Sequence, residues 1–369
     1  MEPESILVRG VNWLGDAIMT LPALARLREA RPQAQITLLT PEKLAGLWEG
    51  QTLLDRIVSI PPGESVWSLG GRLRGGQFTT ALTFPNSVRS ALELWLAKVP
   101  RRIGLARPWR NILLTEPLPV RPGAVPMKKR SNSEIRAAVA RKTPPRLLPP
   151  ESHHVRDYLY LTSTLGASPE PIPPRLTVAD WKIEAALKKF AVDTTDPRRP
   201  WLGLNAGAEY GPAKRWPVER FVETALELQA STRCRWLVFG GAADAGLAGA
   251  IAADIQRKGA PLSAMSLAGK TTLGELAALL KSCKLVLTND TGPMHLAAAV
   301  GAPVVALFGS TSPELTGPIF SASVQIVRGP APCAPCFRRE CPIDFRCMKA
   351  ITVPNVVAAA RPAAMRDDR

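Results

Sequence analysis

A chain of 369 residues is too long for one compact core and suits two domains of ordinary size. With 46% apolar and 21% charged residues the composition is that of a folded protein, which excludes wholesale disorder, and no run of 18 uncharged apolar residues marks a membrane span. The formal charge of +16 suits an anionic partner, such as a nucleic acid, an anionic membrane surface or a phosphorylated and carboxylated glycolipid, and a merely soluble basic surface is the alternative. Aromatic residues are few (6%) and no nucleic-acid module is recognisable, so nucleic acid is not the expected partner. The opening MEPESILVRG carries two glutamates where a signal peptide would carry lysines. It leads to the expectation of a cytoplasmic chain with six reduced cysteines.

In chain order, residues 6–9 read as a short buried strand and residues 10–15 as a tight loop. A helix over 16–30 follows, with Ile18, Leu21, Leu24, Ala25 and Leu27 at helical spacing, and Pro32 ends it. Strands over 36–39 and 81–84 and a helix over 87–98 continue an alternation that predicts a doubly wound parallel sheet. From 99 to 150 ten prolines interrupt the pattern. Thirteen basic residues between Lys98 and Arg146 face only Glu116 and Glu134. Long loops with one helix over 133–141 are expected there. A helix over 153–165 precedes the proline-rich stretch 168–174, the best linker in the chain. A second series then begins, with strands over 201–205, 236–239, 285–288 and 303–308 and helices over 217–229, 245–258, 273–281 and 293–300. The expectation is α/β, with two Rossmann-like doubly wound domains facing across a cleft. The first spans 1–174 with a basic proline-rich insert at about 98–150. The second spans 175–369 with a cysteine-rich loop at 333–347 and a C-terminal tail.

Three junctions carry the chemistry. A strand ends at Thr288 and a helix opens near Pro293, with Asp290, Thr291 and Gly292 between them and His295 one turn in. The unpaired N–H groups and positive end of such a helix suit a pyrophosphate, and an ordinary capped helix is the alternative. The loop 206–217 offers Glu209 and then Lys214 and Arg215 beside a strand's carboxyl end, where a lysine can hold a leaving phosphate; a solvated basic loop is the alternative. Asp16, in the first turn after the first strand, is a general base or a capping carboxylate. No G-x-G-x-x-G follows the first strand and no phosphate-loop motif occurs, which disfavours a dehydrogenase or kinase. His153 and His154 read as a surface pair. Cys333, Cys336, Cys341 and Cys347 could close a tetrahedral zinc site or stay as packed thiols, and Cys234 and Cys283 read as core.

Four segments together resemble the heptosyltransferases of glycosyltransferase family 9, closest to the branch of lipopolysaccharide heptosyltransferases II. They are Asn12-Trp-Leu-Gly-Asp16 with Met19, the Gly207–Pro217 block, Val238-Phe-Gly240 with Asp244, and Thr288-Asn-Asp-Thr-Gly-Pro-Met-His295. The likeness spans most of the chain and is weakest across the basic segment. It implies a GT-B fold and inverting transfer of L-glycero-D-manno-heptose from ADP-heptose onto the first heptose of the lipopolysaccharide inner core. Asp16 would be the catalytic base and Lys214 would hold the donor phosphates. Glu209, Tyr210, Gly211, Asp290, Thr291, Gly292 and His295 would line the donor site, with Asp244 nearest the position of a ribose-binding acid and Thr271 beside the adenine. Asn12, Trp13 and Gly15 would meet the acceptor. Lys128, Lys129 and Arg130 would meet the carboxylates and phosphates of a heptosyl-Kdo2-lipid A type acceptor on the anionic inner-membrane surface. No cofactor would be required beyond the ADP-heptose substrate, a structural zinc being the alternative, and the enzyme would sit peripherally on the cytoplasmic face. The likeness leaves open a heptosyltransferase I, a later core transferase, or a non-catalytic nucleotide-sugar-binding protein.

Overall fold

The computed structural model describes residues 4–321 and 323–366. Six strands form the first sheet: β1 (Ser5–Arg9), β2 (Gln35–Pro41), β3 (Arg56–Ile60), β4 (Thr80–Thr83), β5 (Arg101–Leu105) and β6 (Glu116–Leu118). Their order is β3-β2-β1-β4-β5-β6, and every pairing is parallel. The second sheet holds β7 (Trp201–Asn205), β8 (Arg235–Phe239), β9 (Ala264–Ser266), β10 (Val286–Asn289), β11 (Val304–Phe308) and β12 (Val324–Arg328). It runs β12-β11-β10-β7-β8-β9, again all parallel. Counted from its own first strand, the second sheet repeats the order of the first, so the chain holds two Rossmann-like units.

The strands β1, β4, β7, β8, β10 and β11 are buried at every position. Helices cover both faces of a parallel sheet, so its inner strands are unbroken apolar runs such as the Ile6-Leu7-Val8 of β1. Leu7, Leu39, Leu69, Ala81 and Leu94 build one core in the first unit. Leu204, Val238, Leu287, Val305, Phe221 and Trp236 anchor the core of the second.

The compact units divide at places other than 174. The first contains residues 1–124 and 151–177, and the second contains 125–150 and 178–369. Part of the basic insert expected in the N-terminal domain therefore folds with the C-terminal one. Ile135, on the helix Asn132–Ala140, is buried in the second unit's core, and Leu148 packs with Leu315 and Phe337. Main-chain bonds fix the excursion, from Arg130 N–H to the Cys336 carbonyl (3.0 Å) and from Arg146 N–H to the Ala334 carbonyl (3.3 Å).

The rest of the segment expected to be loops holds β5 and β6. Arg101, at the start of β5, pairs with Glu116 of β6 (2.7 Å), and Pro117 is tolerated because β6 is an edge strand. His153 is buried rather than on the surface, and burial pulls the His154 imidazolium below its ordinary pKa. Among the described residues no helix is long and apolar enough to cross a membrane.

Candidate functional site

In an open parallel sheet the two strands flanking the reversal of order send their loops to opposite faces, which leaves a crevice at their carboxyl ends. In the second unit those strands are β7 and β10. The loop after β7 carries Glu209, Tyr210, Gly211 and Lys214, and the turn after β10 carries Asp290, Thr291 and Gly292, so the fold brings together two of the segments singled out above.

Lys214 ends a single 3-10 turn, Pro212–Lys214, and its Nζ lies 2.6 Å from Asp290 Oδ2. The pair is mostly buried, with side-chain exposures of 13% and 4%. Such a pair survives desolvation only when its remaining polar atoms are bonded. The Thr311 hydroxyl donates to Asp290 Oδ2 (2.5 Å), and the Lys214 ammonium stands 4.9 Å from the centre of the Tyr210 ring. Asp290 therefore holds Lys214 and Thr311 together at the turn after β10.

Asn289, fully buried at the end of β10, clamps the other loop. Its Oδ1 accepts from Trp216 N–H (3.1 Å) and its Nδ2 donates to the Ala206 carbonyl (2.7 Å). Trp216 is buried in turn, its indole N–H donating to the Ile351 carbonyl at 3.1 Å. Tyr210 Oη donates to the Phe337 carbonyl (2.8 Å), and the Arg339 guanidinium lies 5.3 Å from the ring centre. Gly211 has φ +147°, and a Cβ there would come within 2.6 Å of the Arg339 carbonyl, which Ala213 N–H already engages at 2.9 Å. Only glycine fits that contact.

The helix Gly292–Ala299 opens at Thr291 with Pro293 in its first turn, and no side chain caps it. The alternative, capping by Asp290 or Thr291, does not occur; Pro293 has no N–H and Met294 N–H donates to the Thr291 carbonyl (3.1 Å), which leaves the N–H groups of Thr291 and Gly292 as the main-chain donors at the helix start. His295 is buried beneath, and its pKa is pushed down to about 4, chiefly by burial; Lys214 lowers it further and Asp290 opposes. The imidazole is neutral near pH 7.

Asp244 joins this edge of the sheet from the loop after β8. Its Oδ2 accepts from Gly241 N–H (3.2 Å), and a Cβ on Gly207 would strike that same oxygen at 2.4 Å. Arg215 lies 3.6 Å from Asp244 Oδ1. Thr271 is half-buried between Gly269, whose N–H donates to the Gly240 carbonyl, and the capping Thr272. Glu209 is exposed on the β7 loop.

In the first unit the reversal falls between β1 and β4. Arg9, buried at the end of β1, pairs with the fully buried Glu93 (2.7 Å) and donates from Nη2 to Asn12 Oδ1 (3.3 Å). Trp13 is 45% exposed and precedes the helix Leu14–Ala30, whose first turn holds Gly15 and Asp16. The Asp16 carboxylate is half-buried and within electrostatic reach of Tyr158, whose phenol burial already pushes well up. Asn12, Trp13, Gly15 and Asp16 thus share one loop and helix start. Lys128, Lys129 and Arg130 lie on the segment that folds with the second unit.

The zinc alternative is corrected. Among the described residues no group of three or more His, Cys, Asp or Glu is placed to hold a metal ion. Cys333, Cys336 and Cys347 are buried and Cys341 is half-buried. Cys234 and Cys283 are buried, as expected. Four residues that build the site were missed by sequence reading: Arg9, Glu93, Asn289 and Thr311. Glu93, an acid on the apolar face of the helix Val88–Leu96, and Asn289, inside the quoted motif, were the available signals.

The family model described as glycosyltransferase family 9 (heptosyltransferase) matches residues 124–345. The lipooligosaccharide heptosyltransferase 2 of Haemophilus influenzae is 31% identical over 335 residues, covering 88% of this chain and 88% of that protein. The lipopolysaccharide heptosyltransferase 2 of Escherichia coli K12 is 29% identical over 336 residues, covering 88% and 87%. The solved structure of E. coli ADP-heptose lps heptosyltransferase II has 27% identity and a TM-score of 0.73 over 98% of each chain. A glycosyl transferase family 9 structure from Veillonella parvula, at 21% identity, shares the fold with a TM-score of 0.76 over 100% and 99%.

Proposed function

Because the chain belongs to glycosyltransferase family 9, the heptosyltransferases, we propose that it transfers L-glycero-D-manno-heptose from ADP-heptose, with inversion, onto the first heptose of a lipopolysaccharide inner core. The observation that carries the reading is the buried Lys214–Asp290 pair beside an uncapped helix start at the strand-order reversal of the C-terminal unit. A lysine whose direction is fixed and the main-chain N–H groups of Thr291 and Gly292 form a preorganised receptor for the charge that develops on a leaving diphosphate.

In this reaction the Asp16 carboxylate takes the proton of the acceptor hydroxyl. The oxygen of that hydroxyl bonds to the anomeric carbon of the heptose as the bond from that carbon to the ADP phosphate oxygen breaks. ADP leaves with the bonding pair, and its charge falls on Lys214 and the N–H groups of Thr291 and Gly292. Neutral His295 supports the turn beneath without adding charge. Asp244, beside Gly207, and Thr271 suit the nucleoside end, Glu209 and Tyr210 flank the cradle, and Asn12, Trp13 and Gly15 take the acceptor sugar. The basic surface suits peripheral attachment to an anionic membrane face.

The test is a transfer assay with ADP-heptose and two defined acceptors, one bearing the first heptose and one lacking it. The reading expects heptose on the first acceptor only. Transfer to the heptose-free acceptor would make the chain a first heptosyltransferase, and ADP-heptose binding without transfer to either would make it a non-catalytic binder.

A further inference from the structure

Arg9 ends the apolar run Ile6-Leu7-Val8 of β1, and its side chain is only 6% exposed. A guanidinium so placed is costly unless each of its nitrogens finds an acceptor, and here each does. Nε donates to Glu93 Oε2 (2.7 Å), Nη1 to the Gly10 carbonyl, and Nη2 to Asn12 Oδ1 (3.3 Å). Glu93 is fully buried, and its second oxygen, Oε1, accepts from Arg89 Nε (3.0 Å). Arg89 reaches solvent. Arg89, Glu93, Arg9 and Asn12 thus form one polar chain from the surface to the loop before Asp16.

One nitrogen of Arg9 meets the charge of Glu93, and the other two grip loop 10–12. The planar fork fixes their directions, which a single ammonium could not do. A guanidinium has donors and no acceptor, so the atom of Asn12 that faces it is the amide oxygen. A reversed amide would set donor against donor. The other arm of the amide, Nδ2, therefore carries its two N–H groups away from Arg9. Asn12 is exposed, and among the described residues its Nδ2 makes no hydrogen bond. It lies four positions before Asp16, on the same loop and helix start.

We propose that Arg9 and Glu93 are positioning residues that fix the polarity of the Asn12 amide, so that Asn12 turns N–H donors toward an oxygen of the acceptor sugar. The group recognised is an uncharged lone-pair oxygen, hydroxyl or glycosidic, beside the hydroxyl that Asp16 deprotonates. The fixing of the amide stands on the polar chain itself; its use on the acceptor rests on the heptosyl-transfer reading above.

The experiment compares the full chain with three variants by hydrogen exchange and by transfer kinetics. Two bonded N–H groups report on the loop, Gly10 to the Leu39 carbonyl (2.8 Å) and Ala17 to the Trp13 carbonyl (2.9 Å). Asn12→Asp keeps an oxygen for Arg9 and removes both N–H donors. Its loop should stay as protected as in the unsubstituted chain, while the acceptor KM rises about tenfold and the donor KM holds. The rise should persist at about 0.5 M salt, which screens the added charge. Arg9→Lys keeps the charge opposite Glu93 but spans fewer acceptors, so exchange at Gly10 and Ala17 should quicken about tenfold, with β4 unchanged. Glu93→Gln keeps one oxygen for Arg9 and loses the charge, and should quicken the same groups by a smaller factor. An unchanged acceptor KM in Asn12→Asp, or a rise that salt abolishes, refutes the donor role of Asn12. Unchanged exchange in both Arg9→Lys and Glu93→Gln refutes the positioning. Should the unsubstituted chain transfer no heptose, the transferase reading fails, while the exchange comparison still decides whether Arg9 and Glu93 hold the loop.

Discussion

The two units use one strand order and furnish its reversal point differently. In the C-terminal unit the loops after β7 and β10 are locked by a web of buried bonds: Lys214 to Asp290, Asp290 to Thr311, and Asn289 to both Trp216 and Ala206. In the N-terminal unit one buried ion pair, Arg9 with Glu93, supports Asn12 from behind, and Trp13 is left half-exposed beside Asp16. The difference matches the cargo that the proposed transfer reaction would give to each. A leaving diphosphate needs charges fixed before it arrives, because their reorganisation would add to the barrier. An incoming sugar hydroxyl needs one base and a surface to rest on.

This contrast can be broken in four places. Asp16→Ala should produce the largest effect, a fall in kcat on the order of 10³ with the donor KM nearly unchanged; steady-state kinetics with varied donor would show it. Lys214→Ala should lower kcat/KM for ADP-heptose on the order of 10², and loss of affinity for ADP itself should accompany it. Asn289→Ala leaves Trp216 N–H and the Ala206 carbonyl without partners. Chemical denaturation should report a loss of about 2 kcal/mol, and the donor KM should rise because the Lys214 loop loosens. The last effect is on the pH dependence of stability and leaves turnover near neutral pH untouched. His295 has its folded pKa near 4 against an ordinary 6.5. Between these values the unfolded chain binds a proton that the folded one refuses, so stability falls as the pH drops from about 6.5 to about 4, by up to about 3 kcal/mol. Denaturation of His295→Gln across that window should lack this part of the drop; an unchanged slope would mean that Asp290 keeps His295 protonated.

The inner strands were legible because both of their faces are covered, which makes their sequences unbroken apolar runs; Leu202 to Leu204 and Val304 to Phe308 need little else. The outer strands were not. β3 carries Arg56 and Ser59, and β12 carries Gln325 and Arg328, because an edge half-open to water accepts polar side chains and loses the signal. β5 was hidden by Arg101 and Arg102 at its start. At the site, Lys214, Asp290 and Asp16 could each be picked out as chemistry-bearing residues at strand ends. That Asp290 serves Lys214 could not be read, since the contact exists only once β7 and β10 lie side by side. The excursion of 125–150 was obscured by its charge. Two apolar residues, Ile135 and Leu148, fix which unit it joins, and the basic residues around them dominate any reading of composition.

The division of labour between the two reversal points is tested most directly by titrating ADP-heptose into Asp16→Asn and Lys214→Ala side by side, with turnover measured on the same preparations. The account predicts that Asp16→Asn binds the donor as the unsubstituted chain does and turns over almost nothing, whereas Lys214→Ala loses donor affinity. Near-normal turnover by Asp16→Asn, or full donor affinity in Lys214→Ala, would contradict it.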